Sequence, residues 1–244
     1  KFGCGLRLSD HKPQCWGENP PSVPAAAPAL TTISSGGVQH ACGITDNQTV
    51  FCWGNTAPIP ANAVDMQFAF IAASRDPDSN AVCGIPVDED VPVQCWGSPR
   101  PTVPNSTSFS SIGLGRGFWC AINKNTRKVE CSGNQDVSSD LQQPVLRDFE
   151  DPISVHVNSA CALRVIAGIT GSQLGPRCWG YVDRFIPNDS SGNPNRKAMP
   201  YDWEDLGYRN LTSVSVGFRH ACGRRDDDEV VCWGDEFFGE TDPP

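Results

Sequence analysis

The 244-residue sequence lacks any apolar run near the roughly 18 residues that cross a bilayer, so no membrane insertion is expected. It is poor in basic residues, and its net charge is −9. This charge argues against a nucleic-acid surface and against docking on anionic lipid, because both need basic patches. Tyrosine and methionine are scarce, whereas 23 glycines and 21 prolines favour short strands and turns over long helices.

Three motifs that carry chemistry are also missing. Without a Cys-x-x-Cys pair, zinc ribbons, iron–sulfur ligation and thioredoxin-like chemistry lose their usual signature. No Gly-x-Ser-x-Gly elbow and no His-x-x-x-His pair occurs. We therefore predict a protein that is not an enzyme, with no catalytic residues, no metal site and no cofactor.

The length allows one or two domains. Because the chain begins with Lys1 and shows no signal peptide, a mature or trimmed product is expected.

Twelve cysteines are present, and their spacing forms six short pairs, which we use to number six repeats. Spacing alone does not fix connectivity, but its repetition favours a local disulfide in each repeat. Six disulfides indicate an oxidising compartment, so the protein is expected to be secreted or at the cell surface. The pairs are Cys4 with Cys15, Cys42 with Cys52, Cys83 with Cys95, Cys120 with Cys131, Cys161 with Cys178, and Cys222 with Cys232.

The second cysteine of five pairs begins a Cys-Trp-Gly tripeptide, and the first cysteine opens a Cys-Gly-Leu-like motif. Successive first cysteines lie 37 to 41 residues apart, except for a last gap of 61. A period near 40 with strand-like content indicates a propeller or solenoid. Turn-forming residues between the two cysteines predict a hairpin with the cysteines facing each other. The two faces of its second strand are both apolar, which suits a sheet packed between neighbours.

These alternating motifs resemble the extracellular repeats of crinkly-type plant receptor-like kinases, which are disulfide-bearing relatives of regulator-of-chromosome-condensation repeats. The resemblance runs from Cys4 to Gly234. It implies an all-β fold, a β-propeller that is commonly seven-bladed. With six cysteine pairs, we expect one domain over residues 1–244, a propeller of six four-stranded blades with one disulfide each; seven blades is the alternative.

A further strand-like segment precedes five of the six hairpins, so one strand is missing at the first repeat. Three explanations stay open. The ring closes with the tail near Phe237 and Phe238, the chain is part of a longer one, or another subunit donates the strand. The third explanation predicts self-association through an incomplete first blade.

The expected function is an extracellular interaction module that binds a protein, peptide or glycan through its blade loops. A repeating subunit of an extracellular fibre or wall is the alternative, and a propeller hydrolase is a weaker one. The 61-residue gap holds an aromatic-rich insertion at about 181–208, and aromatics with arginine are typical of interaction hot spots. The alternative for this insertion is a loop that covers the blades. The candidate binding residues are Tyr181, Arg184, Phe185, Tyr201, Trp203 and Tyr208.

Other polar positions receive mainly structural interpretations. His40 and His220 occupy the same repeat position, which favours a structural role. The acidic runs 88–90 and 226–229 are expected in solvated turns, with calcium binding as the alternative. Repeat 4 has Ser132 in place of the motif tryptophan, and we predict that Trp119 fills that volume. Glycosylation is predicted at four Asn-x-Ser/Thr sites, Asn47, Asn105, Asn188 and Asn210.

Overall fold

The structure is a computed structural model, which describes residues 2–104, 108–133, 148–157, 159–168, 171–180, 196–197, 210–217 and 220–235. The described residues form strands and turns, and they include no helix long and apolar enough to cross a membrane. The strands are β1 (Phe2–Leu6), β2 (Pro13–Gly17), β3 (Leu30–Gly36), β4 (His40–Thr45), β5 (Val50–Gly54), β6 (Phe68–Ala73), β7 (Val82–Pro86), β8 (Gln94–Trp96), β9 (Phe109–Leu114), β10 (Phe118–Asn123), β11 (Val129–Gly133), β12 (Phe149–His156), β13 (Ser159–Gly168), β14 (Gly171–Gly180), β15 (Arg196–Lys197), β16 (Leu211–Val216), β17 (His220–Arg225) and β18 (Val230–Asp235).

The chain divides into two compact units, Lys1–Trp119 and Cys120–Pro244, with the boundary inside β10. The expectation of one domain over residues 1–244 stays a prediction. Within the described residues the strands form six sheets, one for each repeat. Repeat 1 has the hairpin β1–β2, repeats 2 to 5 each have three strands, and repeat 6 has four in the order β15-β18-β17-β16.

The expectation of four strands in every blade is therefore wrong for repeats 2 and 3. After β5 and β8 the chain continues through residues 55–67 and 98–104, where no strand forms. Both segments are rich in proline, among them Pro58, Pro60, Pro99 and Pro101. Proline has no backbone N–H to donate to a ladder, so these segments connect repeats without adding a strand.

Each of the six sheets carries one local disulfide, as the fold class predicts. In each bond the two Cα atoms lie 4.0 to 4.1 Å apart. Cysteines face each other directly across the hairpin, and antiparallel pairing brings such opposed residues close enough to bond without any change in the backbone. The bonds join Cys4 with Cys15, Cys42 with Cys52, Cys83 with Cys95, Cys120 with Cys131, Cys161 with Cys178, and Cys222 with Cys232.

The second cysteines of repeats 3, 4 and 5 differ in exposure but share one state. Cys178 is buried, whereas Cys95 and Cys131 are half-buried. Each of the three is bonded to the first cysteine of its own repeat. Because the thiolate is the form of cysteine that attacks substrates and binds metals, these bonded sulfurs serve the fold and supply no reactive group.

Each of the two motifs contains a glycine, and a different steric restriction excludes a side chain at each position. Gly54, the last residue of its Cys-Trp-Gly motif, has a φ of +82° and a Cβ there would lie 2.1 Å from the carbonyl oxygen of Gln39. Gly43, which follows the first cysteine, faces Leu30, and a Cβ would lie 2.6 Å from a methyl group of that side chain. Gly54 thus ends β5, and Gly43 makes room for β3.

In repeats 2, 3 and 6 the motif tryptophan joins the sheet to the preceding repeat. Trp53 packs in one apolar cluster with Cys4, Leu6 and Cys15 of repeat 1. Trp96 and Trp233 lie in the corresponding clusters with the disulfide-bearing strands of repeats 2 and 5. These three side chains are at most 3% exposed, whereas Trp16 of repeat 1 is 57% exposed. The same interaction therefore recurs along the chain, and repeat 1 leaves its tryptophan open.

In repeat 4 a large and a small residue are exchanged between the second and third strands. In the other repeats the tryptophan pairs with a small or medium residue on the second strand, as in Ala41↔Trp53 and Ala221↔Trp233. In repeat 4 that second-strand position holds Trp119, and the motif position holds Ser132. Trp119 is buried, and its ring lies 5.5 Å from that of Phe109 in an edge-on contact. These contacts support the prediction that Trp119 fills the volume of the missing tryptophan.

We expect Trp119→Ala to lower the free energy of unfolding by about 3–5 kcal/mol, the usual cost of truncating a buried aromatic. The loss includes the ring contact with Phe109 and the hydrogen bond that the Trp119 indole donates to Thr102 O (3.1 Å). Urea unfolding with intact disulfides measures it. Trp16→Ala is the matched control and should cost less than about 1 kcal/mol, because the ring is mostly exposed. Equal losses in the two variants would contradict the interpretation.

Candidate functional site

The loops of the first unit gather at two ends of the sheets. We call the end that carries the connections between first and second strands, residues 37–39, 74–81 and 115–117, the loop end. We call the other end, which carries the connections between second and third strands, the hairpin-turn end; it includes residues 7–12, 46–49 and 87–93. Loops held by a rigid sheet scaffold are where binding residues usually lie. The two ends are therefore the surfaces to compare.

Backbone hydrogen bonds between repeats show that the loops of each end are neighbours. At the loop end Gly37 N donates to Ser74 O (2.9 Å), which joins the loops of repeats 2 and 3. At the hairpin-turn end Leu30 N donates to His11 O (2.9 Å) and Phe68 N donates to Gln48 O (2.7 Å). The turns of repeats 1 and 2 at that end are thus fixed to the first strand of the next repeat.

The connection between β6 and β7, residues 74–81, is the longest described connection at the loop end of this unit. Its eight residues compare with the three of 37–39 and of 115–117. Ser74 N donates to Ala81 O (2.8 Å), which closes the loop at its base. We call this segment the repeat-3 loop.

Side chains inside the repeat-3 loop fix its shape. The buried carboxylate of Asp76 accepts a hydrogen bond from Asp78 N (3.1 Å), and the hydroxyl of Ser79 accepts one from Ala81 N (3.1 Å). The same hydroxyl donates to Pro99 O (3.1 Å), and the Asn80 side chain accepts a bond from Ser98 N (2.8 Å). The loop is therefore built in one conformation, which lowers the entropy lost when a partner binds.

The repeat-3 loop presents charge at its surface. Asp78 pairs with Arg116 of the neighbouring turn at 3.4 Å, and both side chains are well exposed. Arg75 is half-buried in the same loop, and burial lowers the pKa of its guanidinium from the usual value. An arginine keeps its charge at neutral pH even after such a shift. The loop end of the first unit thus offers fixed charges of both signs.

His40 lies beneath this surface, at the start of β4. It is completely buried, and its ring packs against Gly36, where a Cβ would lie 2.0 Å from the ring. Burial lowers its pKa to about 4, although the backbone of Ala81 in the next repeat offsets part of this shift. Neither ring nitrogen forms a hydrogen bond of normal geometry. These observations agree with the structural role that its repeat position predicts.

The predicted binding residues of the insertion lie outside the described residues. This concerns Tyr181, Arg184, Phe185, Tyr201, Trp203 and Tyr208. The described part of the insertion is β15, in which Arg196 pairs with Asp235 and Lys197 with Gly234. The insertion thus adds a strand to the outer edge of sheet 6, and the binding role of its aromatic residues stays a prediction.

Two of the predicted glycosylation sites can be placed. Asn47 is exposed in the turn between β4 and β5, and Asn210 is exposed immediately before β16. Asn105 and Asn188 lie outside the described residues. The acidic runs 88–90 and 226–229 are exposed turn residues. In the part of the chain that the structure describes, no group of three His, Cys, Asp or Glu side chains could hold a metal ion.

The repeat-3 loop is not among the predicted site residues, although the sequence contains a signal for it. Residues 74–80 are almost entirely Ser, Asp, Pro and Asn, which are the residues that form turns through their own side chains. The sequence does not reveal that Asp76 is buried. There its carboxylate accepts a hydrogen bond from within the loop, which makes the loop rigid.

Comparisons with known proteins bear on the fold. The family model described as regulator of chromosome condensation (RCC1) repeat matches residues 31–56 and 211–240. The serine/threonine-protein kinase-like protein CCR2 of Arabidopsis thaliana is 31% identical over 142 residues, which are 53% of this chain and 16% of that protein. The chain therefore spans less than a fifth of this curated relative.

Two solved structures align with 96% of the chain. One is the entire ectodomain of the Physcomitrella patens receptor kinase CR4, with 23% identity, a TM-score of 0.65 and 59% of that chain covered. The other is the CRINKLY WD40 ectodomain of the Arabidopsis thaliana receptor kinase ACR4, with 22% identity, a TM-score of 0.66 and 77% covered. The resemblance to crinkly-type ectodomains is confirmed. The fold is all-β, of the β-propeller type, with one disulfide in each repeat, and the number of blades stays a prediction.

The burial of His40 predicts acid sensitivity. The unfolded chain binds a proton on this residue below pH 6.5 and the folded chain does so only near pH 4, so stability falls as the pH drops through this window. The full effect is on the order of 3 kcal/mol. In His40→Phe this part of the pH dependence should disappear, and the variant should fold because Phe118 occupies the equivalent site over Gly115. Urea unfolding between pH 4 and 7.5 measures the difference; parallel curves for the two proteins would refute it.

Proposed function

We propose that the chain is an extracellular interaction module that binds a protein, peptide or glycan through the loop end of its first unit. The observation that carries this proposal is the repeat-3 loop, which is longer than its neighbours, internally hydrogen-bonded and charged at its surface. A preorganised loop on a rigid sheet scaffold is what a binding surface needs.

An extracellular location is supported by the cysteines and by the similar structures. All twelve cysteines are paired, and such dense disulfide bonding persists in oxidising compartments. The two solved structures of similar fold are receptor-kinase ectodomains. We extend this location to the present chain as secreted or cell-surface, with Asn47 and Asn210 as accessible glycosylation sites.

A binding role is favoured over an enzymatic one by the chemistry of the loop end. Its charged residues are arginines and aspartates held in ion pairs and turn hydrogen bonds. A general acid or base needs a shifted pKa inside a cleft. His40, whose pKa is lowered, lies beneath this surface and is completely buried.

A second candidate function, self-association, is supported by repeat 1. Its sheet has two strands, and Trp16 is 57% exposed although the tryptophans of four other repeats are buried. Leu8, in the turn between β1 and β2, is 97% exposed. A strand edge that no described strand covers, beside an exposed aromatic, is the kind of surface that a second copy can cover. This would make the chain a repeating subunit of an extracellular assembly.

The binding role is tested with the double variant Asp78→Ala/Arg116→Ala on glycan and peptide arrays. We expect at least about a tenfold loss of signal for wild-type hits, since charged groups at the centre of an interface often contribute this much. The matched control is Arg224→Ala/Asp228→Ala, which removes an ion pair of the same length and similar exposure at another turn. Both variants should be as stable as wild type. Hits that survive unchanged in both variants would contradict a role for the loop end.

Self-association is tested by sedimentation over a range of concentrations. Wild type should form larger species, and Trp16→Asp should remain monomeric, because a charge replaces the aromatic contact surface. The control is Val64→Asp, which places the same charge at another exposed apolar residue. A wild-type protein that stays monomeric at all concentrations would rule out this candidate.

A further inference from the structure

A pocket lies at the hairpin-turn end of the first unit, away from the repeat-3 loop. Its volume is about 320 Å³, at the small end of the range for ligand sites. One wall is the turn between β1 and β2, with Arg7, Lys12 and Pro13, and the opposite wall is the segment before β3, with Val23, Pro24 and Ala27. The space is sufficient for a group of about the size of one sugar ring.

Both walls are held by the backbone. In the β1–β2 turn Arg7 N donates to Lys12 O (3.0 Å) and His11 N donates to Arg7 O (2.9 Å). His11 O accepts a bond from Leu30 N, which fixes this turn to repeat 2, and Ala27 N donates to Pro24 O (2.9 Å). Pro13 and Ala27 are buried, so the floor of the pocket is apolar and rigid.

The rim of the pocket is basic, in a chain whose net charge is −9. Arg7 uses two of its five N–H groups on Asp10, with its Nε 3.0 Å from Oδ1. This pair orients the guanidinium and leaves three donors. Burial acts to raise the pKa of Asp10, but the hydrogen bond from Lys12 N and the charges of Arg7 and Lys12 outweigh this effect. The pKa is therefore lowered overall, and the carboxylate stays ionised.

Lys12 provides the second cation. Its side chain is half-buried, and among the described residues no carboxylate lies within ion-pair distance of it. An ammonium group beside an apolar floor is only partly solvated, which makes an incoming anion a favourable partner. Two cations at the rim of a small apolar pocket, one of them oriented by its ion pair, match a carboxylate attached to a compact ring or short chain.

We propose that this pocket binds a carboxylate-bearing group of about monosaccharide size, with the carboxylate on Arg7 and Lys12 and the remainder against Val23, Pro24 and Ala27. The carboxylate can come from a uronic acid of a polysaccharide or from an acidic peptide residue, because both present the same group. The site is separate from the loop end, so its failure in a test leaves the proposed function of that end untouched.

The test is titration calorimetry with two carboxylate probes, glucuronic acid and N-acetyl-aspartate amide, and with glucose as the neutral match. At least one carboxylate probe should bind wild type, glucose should not, and binding should weaken with added salt. In Lys12→Gln the affinity should fall roughly tenfold or more, as expected for the loss of one charge-assisted contact. Which of the two probes binds identifies the source of the carboxylate.

The chain offers a close control in repeat 4. There Asn123 N donates to Lys128 O and Arg127 N donates to Asn123 O, which is the same turn with Lys128 in the place of Lys12. Lys128→Gln should therefore leave the affinity unchanged while altering the net charge equally. The proposal is overturned if neither carboxylate binds, if glucose binds as well as glucuronic acid, or if the two lysine variants behave alike.

Discussion

The structure depends on one repeated interaction, in which the motif tryptophans of repeats 2, 3 and 6 each pack on the disulfide-bearing strands of the repeat before. A small sheet of two or three strands cannot bury enough apolar surface to be stable alone. The disulfide ties the hairpin together, and the indole of the following repeat covers it, as Trp53 covers Cys4 and Cys15. Repeats 1, 2 and 5 are thus each stabilised by their own disulfide and by the indole ring of the following repeat.

This interaction explains why the motif residues occur together. The cysteines must be opposed for the bond to form, and the tryptophan must follow the second cysteine so that its ring points to the preceding repeat. Gly54 then ends the strand with a positive φ that other residues rarely adopt. A serine adds to the junction in two repeats: the hydroxyl of Ser34 accepts a bond from Ala73 N, and that of Ser154 accepts one from Val216 N, each 2.9 Å long.

Repeat 4 shows that the constraint is the filled volume and not the motif itself. Trp119 and Ser132 exchange the large and the small side chain between two strands, and the aromatic contact with the first strand is kept through Phe109. In repeats 3 and 5 the corresponding contact joins a first-strand phenylalanine to the motif tryptophan at 6.2 Å. A substitution that breaks the sequence pattern therefore preserves the packing.

Much of this could be predicted from the sequence because it is local. Opposed cysteines, turn formers between them and a strand before them are all visible within about 40 residues, and the predicted strands and sheets agree with the structure. The prediction of four strands was wrong for repeats 2 and 3, where the connecting segments are rich in proline, as at Pro58 and Pro60, and form no strand. The open position of Trp16 and the burial of Asp76 depend on contacts with neighbouring repeats, which no local pattern contains.

The two ends of the sheets differ in the length and charge of their loops, although the strands between them repeat the same contacts. The tryptophan, the disulfide and the glycines lie within the strands, and the loops add backbone hydrogen bonds between repeats, such as that from Gly37 N to Ser74 O. The repeat-3 loop is longer than its neighbours and rigid through its own hydrogen bonds, whereas the turn of repeat 1 places two cations beside an apolar wall. The repeated core contacts thus hold two surfaces that differ in shape and charge, one at each end of the same sheets.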